Sequence, residues 1–243
     1  MLGMLLFSYL ADRSATTGAA GAGLLAGGFV GLAFLARPYT AALMAAPAGL
    51  YLLSSGTCRS GLALLWIIFG AVPPLVFLSW YDRAITGNAL QMVTTWVDPT
   101  EGVGFDEGHT LALGAQLLLG HVIDFVQWTS PVLLPLFVLL AIVGARRRER
   151  LFYPYIFPVL AAGYVLYYSE GGNRYGPRYY VEAYPFVVLY VVAALCDGGS
   201  VILPPRWRRA ALLLFLAGCV SALVTRPVRA WQEHHVVSQQ LDL

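Results

Sequence analysis

Seven apolar runs, at about 18–35, 39–53, 61–80, 130–145, 151–168, 181–197 and 210–225, recur along this chain between charged or Gly/Pro punctuation. A segment this apolar that meets hydrocarbon must satisfy its backbone polar groups internally, and the helix does that within one segment. Composition points the same way. Hydrophobic residues make up 58% and charged residues 12%, about half the charge a soluble domain carries. The chain reads as all-α, a polytopic membrane helical bundle of about seven transmembrane or re-entrant segments, and as a single membrane domain over 1–243. An outer loop and interfacial helix at about 81–127 and a tail at 226–243 complete it. Runs 18–35 and 39–53, rich in Gly and Ala and split only by Arg37 and Pro38, suit a tight hairpin or a re-entrant pair.

Arginine-rich short loops stay in the cytoplasm, so 145–150 ("ARRRER") and 204–209 ("PPRWRR") orient the bundle. Residues 12–17 and 54–60 then also fall inside. The 36–38 turn, the 81–113 loop, the "SEGGNRYGPRYY" loop and the C-terminal tail fall outside. Nine arginines lie inside and six outside, so the outer six need a local explanation. From Leu111 the apolar residues recur near helical spacing, with His121 and Asp124 toward the polar side, which predicts a helix lying in the outer interface.

Several classes find no support. All fifteen basic residues are arginine, which with the Ala, Leu, Gly and Val bias suggests a GC-rich bacterial genome. They form no basic helical face, so no nucleic-acid partner is expected. Cys58, Cys196 and Cys219 are far apart, inside or beside apolar runs, and read as small core hydrophobes. Met1–Leu10 is apolar without a basic leader, so a signal peptide is not expected, and ten residues are too few to cross a bilayer. No GxSxG, Walker, CxxC or HExxH pattern occurs. A transporter would need ionisable groups within its spans, and the interiors of 61–80, 130–145 and 210–225 have none.

The outer stretch "YYSEGGNRYGPRYYVEAYPF" (167–186) puts Glu170, Arg174, Arg178 and Glu182 among tyrosines and glycines. Arg174 and Arg178 can fork onto a phosphate, and Gly171, Gly172 and Gly176 let backbone N–H groups approach it. The other reading is an interfacial belt of Tyr and Arg, with Glu170 and Glu182 as partners of the loop arginines. Arg37 can either reach an anion on the same side or snorkel and satisfy carbonyls at its turn. Asp106 and Glu107, beside His109 in "GFDEGHT", are adjacent acids on the outer loop, suited either to catalysis or to a solvated loop tip. Asp82 beside Arg83 marks a membrane boundary. No second ligand pair makes a metal site, and no cofactor is expected.

"GGNRYGPRYYVEAYPFVVL" resembles a pattern found late in bacterial members of the C-type glycosyltransferase superfamily, relatives of the mannosyltransferases and aminoarabinose transferases. "LLAGGFVGLAFLARPYTAALMAAPAGLYLL" (24–53) is similar to that group's glycine-rich span, Arg-Pro turn and following span, and the elements of 85–116 are similar to its outer loop. The blocks occur in family order and cover most of the chain. The resemblance implies an enzyme that moves a sugar from a polyprenyl-phosphate carrier to a lipid, glycan or protein acceptor at the extracytoplasmic face of the inner (plasma) membrane. It implies that Arg174 and Arg178 face the phosphate and that Tyr175 and Tyr179 shape the lipid-sugar pocket; Arg37 and His109, read from the residues alone, are further candidate phosphate contacts. Members carry a key acidic residue in the first outer loop, ahead of the part this chain resembles. The expectation is therefore an N-terminally truncated member, with Asp106 and Glu107 as the substitute acids. The alternative is a non-catalytic protein that binds a polyprenyl-phosphate lipid or serves as a subunit of a larger complex.

Overall fold

In the computed structural model the described residues are 2–97, 103–105, 108–146, 152–167, 180–196 and 206–222. Among them the chain is helical and holds no strand. The elements are α1 (Leu2–Thr17), α2 (Ala20–Ala36), α3 (Pro38–Ser54), α4 (Cys58–Thr86), α5 (Val93–Val97), α6 (Leu111–Trp128), α7 (Leu133–Arg146), α8 (Tyr153–Tyr164) and α9 (Tyr184–Cys196). A 3₁₀ turn, Val181–Ala183, leads into α9, and a last helix, α10, covers 206–222.

Local chemistry sets the helix ends. Thr57 caps α4 by accepting a hydrogen bond from the Ser60 N–H, and Thr110 caps α6 by accepting from Leu113. Pro38, whose missing N–H costs nothing in a first turn, opens α3. Gly87 ends α4 in the left-handed region at φ 79° and donates its N–H to the Arg83 carbonyl. Two boundaries differ from the sequence reading. Residues 12–17, expected as an inner connection, continue α1, where Thr16 and Thr17 return their hydroxyls to carbonyls one turn back. Residues 81–86, expected in the outer loop, prolong α4.

Small residues dictate the tightest helix contact. Gly23, Gly27 and Gly31 fall at every fourth position of α2 and face α4. A Cβ on Gly27 would run into the backbone of Ile67, Gly70 and Ala71; one on Gly31 would meet the Pro74 ring, and one on Gly70 the Leu24 carbonyl. The order of these contacts makes α2 and α4 parallel, a small-residue crossing of the kind that lets helix backbones touch. α2 and α3 do meet head to tail at Arg37, but the close seam of α2 lies on α4.

α3 runs antiparallel to α8: Tyr39 meets Gly163 and Tyr164 at one end, and Tyr51 meets Phe152 at the other. Beyond α8 the core is aromatic. Phe125 of α6, Phe137 of α7 and Phe157 of α8 are buried and touch edge to face or tilted. Tyr190 of α9 packs its ring on Phe137 and donates to the Leu140 carbonyl.

One helix among the described residues, α4, is long and apolar enough to cross a membrane. Its 29 residues span about 43 Å, more than the ~30 Å hydrocarbon core. Its apolar side chains, among them Leu65, Phe69, Val76, Phe77 and Trp80, are exposed. α2, α6, α7 and the 181–196 segment are apolar but shorter.

Candidate functional site

The end of the bundle at which α2 meets α3 gathers the polar and aromatic side chains. Arg37, the single residue between those helices, points Nη1 at Glu182 Oε1, 3.2 Å away, with the two side chains 32% and 21% exposed. Glu182 sits on the 3₁₀ turn before α9, so this ion pair joins two chain segments far apart in sequence. The described partner of Glu182 is thus Arg37, where the sequence suggested a loop arginine.

Two residues along the chain from each member of the pair, Tyr39 and Tyr180 belong to a tyrosine cluster. The Tyr39 hydroxyl donates to the Gly163 carbonyl, and Thr40, 2% exposed, shares a hydrogen bond with the Tyr164 hydroxyl. Tyr39 stacks on Tyr167 with ring centroids 5.3 Å apart, and Tyr164 meets both edge on. Tyr180, 1% exposed, lies against Tyr164, Phe157 and the imidazole of His121. Its hydroxyl is buried with no hydrogen-bond partner among the described residues. Burial first, and the neighbouring Tyr39 second, hold the Tyr180 phenol well above its ordinary range, so it stays neutral. His121, half-buried in α6, is pushed below the usual histidine value by desolvation, with Asp124 opposing.

The described residues 103–105 and 108–110 are tied to the same end. Gly104 donates its N–H to the Leu166 carbonyl at 2.8 Å, and Val103 pairs antiparallel with Tyr167. His109 is 2% exposed, stacks on Phe105, and places Nε2 2.9 Å from the Val165 carbonyl. Its geometry is that of a pin holding the loop to α8. Gly114 lies so close to the Val165 carbonyl that no side chain would fit. Asp82 is likewise internal: it is 5% exposed and accepts the Val93 N–H, anchoring α5 to the end of α4.

Of the residues singled out from sequence, Arg37 and His109 fall on this end, about the α8 terminus. Asp106, Glu107, Arg174, Tyr175, Arg178 and Tyr179 lie outside the described residues. Sequence reasoning passed over Tyr39, Thr40, Tyr164 and Tyr180. The available signal was position, since "RPYT" opens one apolar run, "GYVLYY" closes another, and Tyr180 immediately precedes a third. Among the described residues no three His, Cys, Asp or Glu side chains come together as a metal site.

Chemically, the Arg37 fork can hold an anion, the tyrosine faces can stack on a sugar or an unsaturated chain, and the neutral Tyr180 phenol can exchange one hydrogen bond. No family model matches this chain, and neither any curated protein nor any solved structure does.

Proposed function

We propose that this chain is a polytopic protein of the inner (plasma) membrane that holds a polyprenyl-phosphate-linked sugar at its extracytoplasmic end, and is a C-type glycosyltransferase or the C-terminal part of one. The carrying observation is the Arg37–Glu182 pair, two residues along the chain from Tyr39 and from Tyr180 of the tyrosine cluster, at the end to which residues 103–105 and 108–110 are tied. A partly buried arginine suits a phosphate better than a solvated lysine would, because its planar fork matches two oxygens at once. In this reading α4 crosses the membrane, the shorter α2, α3, α7, α8, α9 and α10 cross or re-enter it within the bundle, and α6 lies along the outer interface. The exposed apolar side chains of α4 and the glycine seam of α2 support it, since hydrocarbon accepts such a surface and small residues replace the hydrophobic effect in joining helices.

Transfer would need a carboxylate to orient or deprotonate the acceptor and cations to stabilise the departing phosphate. Asp106 and Glu107 are proposed for the first role, with Arg37, Arg174 and Arg178 for the second and Tyr175 and Tyr179 lining the pocket. One observation favours the second reading, a protein that holds the carrier lipid without transfer: the carboxylate that meets the cluster, Glu182, is already engaged by Arg37.

The test is binding in nanodiscs. A polyprenyl phosphate should raise the unfolding temperature, and the uncharged polyprenol should not. Arg174→Ala and Arg178→Ala should each weaken binding by about 1.5–3 kcal/mol. Equal effects of phosphate and alcohol would refute the anion site. Sugar transfer that persists in Asp106→Asn/Glu107→Gln would refute the catalytic assignment.

A further inference from the structure

We infer that Glu182 is an internal stand-in for the anionic headgroup: it occupies the Arg37 guanidinium when no phosphate is bound and is displaced when one arrives. This rests on the reading of Arg37 as a phosphate-facing residue. Three observations carry it. First, the pair is of the displaceable kind: at 3.2 Å, with both side chains partly open to solvent, water and ions reach it. A partly exposed bridge contributes little stability of its own, so a phosphate, whose two free oxygens match the guanidinium fork, can replace the carboxylate without a large opposing term.

Second, the pair is the described side-chain link between the α2–α3 turn and the 3₁₀ turn Val181–Ala183. Opening it changes what holds that turn in register. Third, the turn that carries Glu182 also carries an unmet cost. Two residues before Glu182, the Tyr180 hydroxyl is buried without a hydrogen-bond partner among the described residues, and a buried unpaired hydroxyl is unfavourable until a donor or acceptor reaches it. A ligand that draws Glu182 off Arg37 relaxes the turn that imposes this cost, so ligand entry and turn movement are coupled. Glu182 is a specificity-determining residue on this account: it rejects neutral headgroups, which cannot take its place on the guanidinium, and admits phosphate.

The test compares wild type, Glu182→Gln, Glu182→Asp and Arg37→Gln in nanodiscs, titrated separately with a polyprenyl phosphate, with the uncharged polyprenol and with inorganic phosphate. Glu182→Gln should bind the polyprenyl phosphate about fivefold more tightly than wild type, since a partly exposed carboxylate no longer competes. Glu182→Asp, one methylene shorter, should fall between them, and it serves alone if the Gln variant does not fold. Arg37→Gln should lose affinity. Tightening for the lipid without tightening for inorganic phosphate identifies a lipid headgroup; equal tightening for both identifies a free-phosphate site under the same gate. Binding that is unchanged or weaker in both Glu182 variants, with Arg37→Gln also weak, would overturn the gate while leaving the anion site standing. If no form, wild type included, prefers the phosphate over polyprenol, the anion site itself falls and the gate with it.

Discussion

Gly27 and Gly28 are adjacent in α2, yet a methyl group at each meets different surroundings. At Gly27 it would strike the Ile67 carbonyl, the Ala71 nitrogen and the Gly70 Cα, all backbone of α4; at Gly28 it would meet nothing within 4 Å. Gly→Ala in a helix interior gains about 0.5–1 kcal/mol from the unfolded chain's lost freedom, and both substitutions share that gain. Only Gly27→Ala must also push two helices apart, an overpacking cost of about 1–3 kcal/mol. The shared gain cancels in the comparison, so Gly27→Ala should be less stable than Gly28→Ala by about 1–3 kcal/mol. Reversible unfolding in mixed micelles, followed by far-ultraviolet circular dichroism as the denaturing detergent fraction rises, measures the difference. Gly70→Ala should resemble Gly27→Ala, and the double variant should cost less than the sum, because a seam already opened admits the second methyl. Equal stability of Gly27→Ala and Gly28→Ala would refute the parallel α2–α4 seam.

Other expectations follow from the cluster. Tyr164→Phe should destabilise by about 1–3 kcal/mol by orphaning the buried Thr40 hydroxyl, whereas Tyr164→Phe with Thr40→Val should recover most of the loss; a double variant worse than the single would exclude that hydrogen bond. His121 is held below 6.5 by burial, so the unfolded state binds the proton first. Its contribution is full above about pH 6.5, declines as the pH falls through that value, and levels off below the folded pKa. A His121→Gln variant should show a flatter melting temperature between pH 7 and 5, about the histidine range, and an unchanged slope would remove His121 from the acid response. Asp82→Ala should release α5 at a cost of about 1 kcal/mol and speed proteolytic cleavage after Gly87; wild-type cleavage rates would show that Asp82 does not hold that segment.

Hydrophobic runs placed the helices, because runs of apolar residues bounded by arginine, glycine and proline constrain each segment locally. α2, α3, α7, α8, α9 and α10 lie within a few residues of the runs read from sequence, and the amphipathic stretch from Leu111 forms α6. Where polar residues stand inside a helix the pattern was silent. Asp12, Arg13 and the threonines after them look like a loop by composition, but α1 absorbs them through hydroxyl-to-carbonyl bonds and contact with Arg59, which reaches the Thr16 carbonyl. α4 similarly outruns its apolar core because Gly87, and not the charged Asp82, supplies the stop.

The site divides along the same line. Arg37 was visible as a lone charge at a turn between two apolar runs, and His109 as part of an outer loop. Their partners were not, since Glu182 and Val165 are remote in the chain and periodicity carries no information about which helix ends meet. Composition and local patterning alone determined that this protein is helical and where its helices run, because those depend on hydrogen bonds and side chains within a few residues. Only the tertiary structure decided that Gly27 faces Gly70, that Arg37 meets Glu182 and that Tyr39 stacks on Tyr167. Such pairings depend on the crossing of whole helices, which close backbone contact and buried aromatic volume select together.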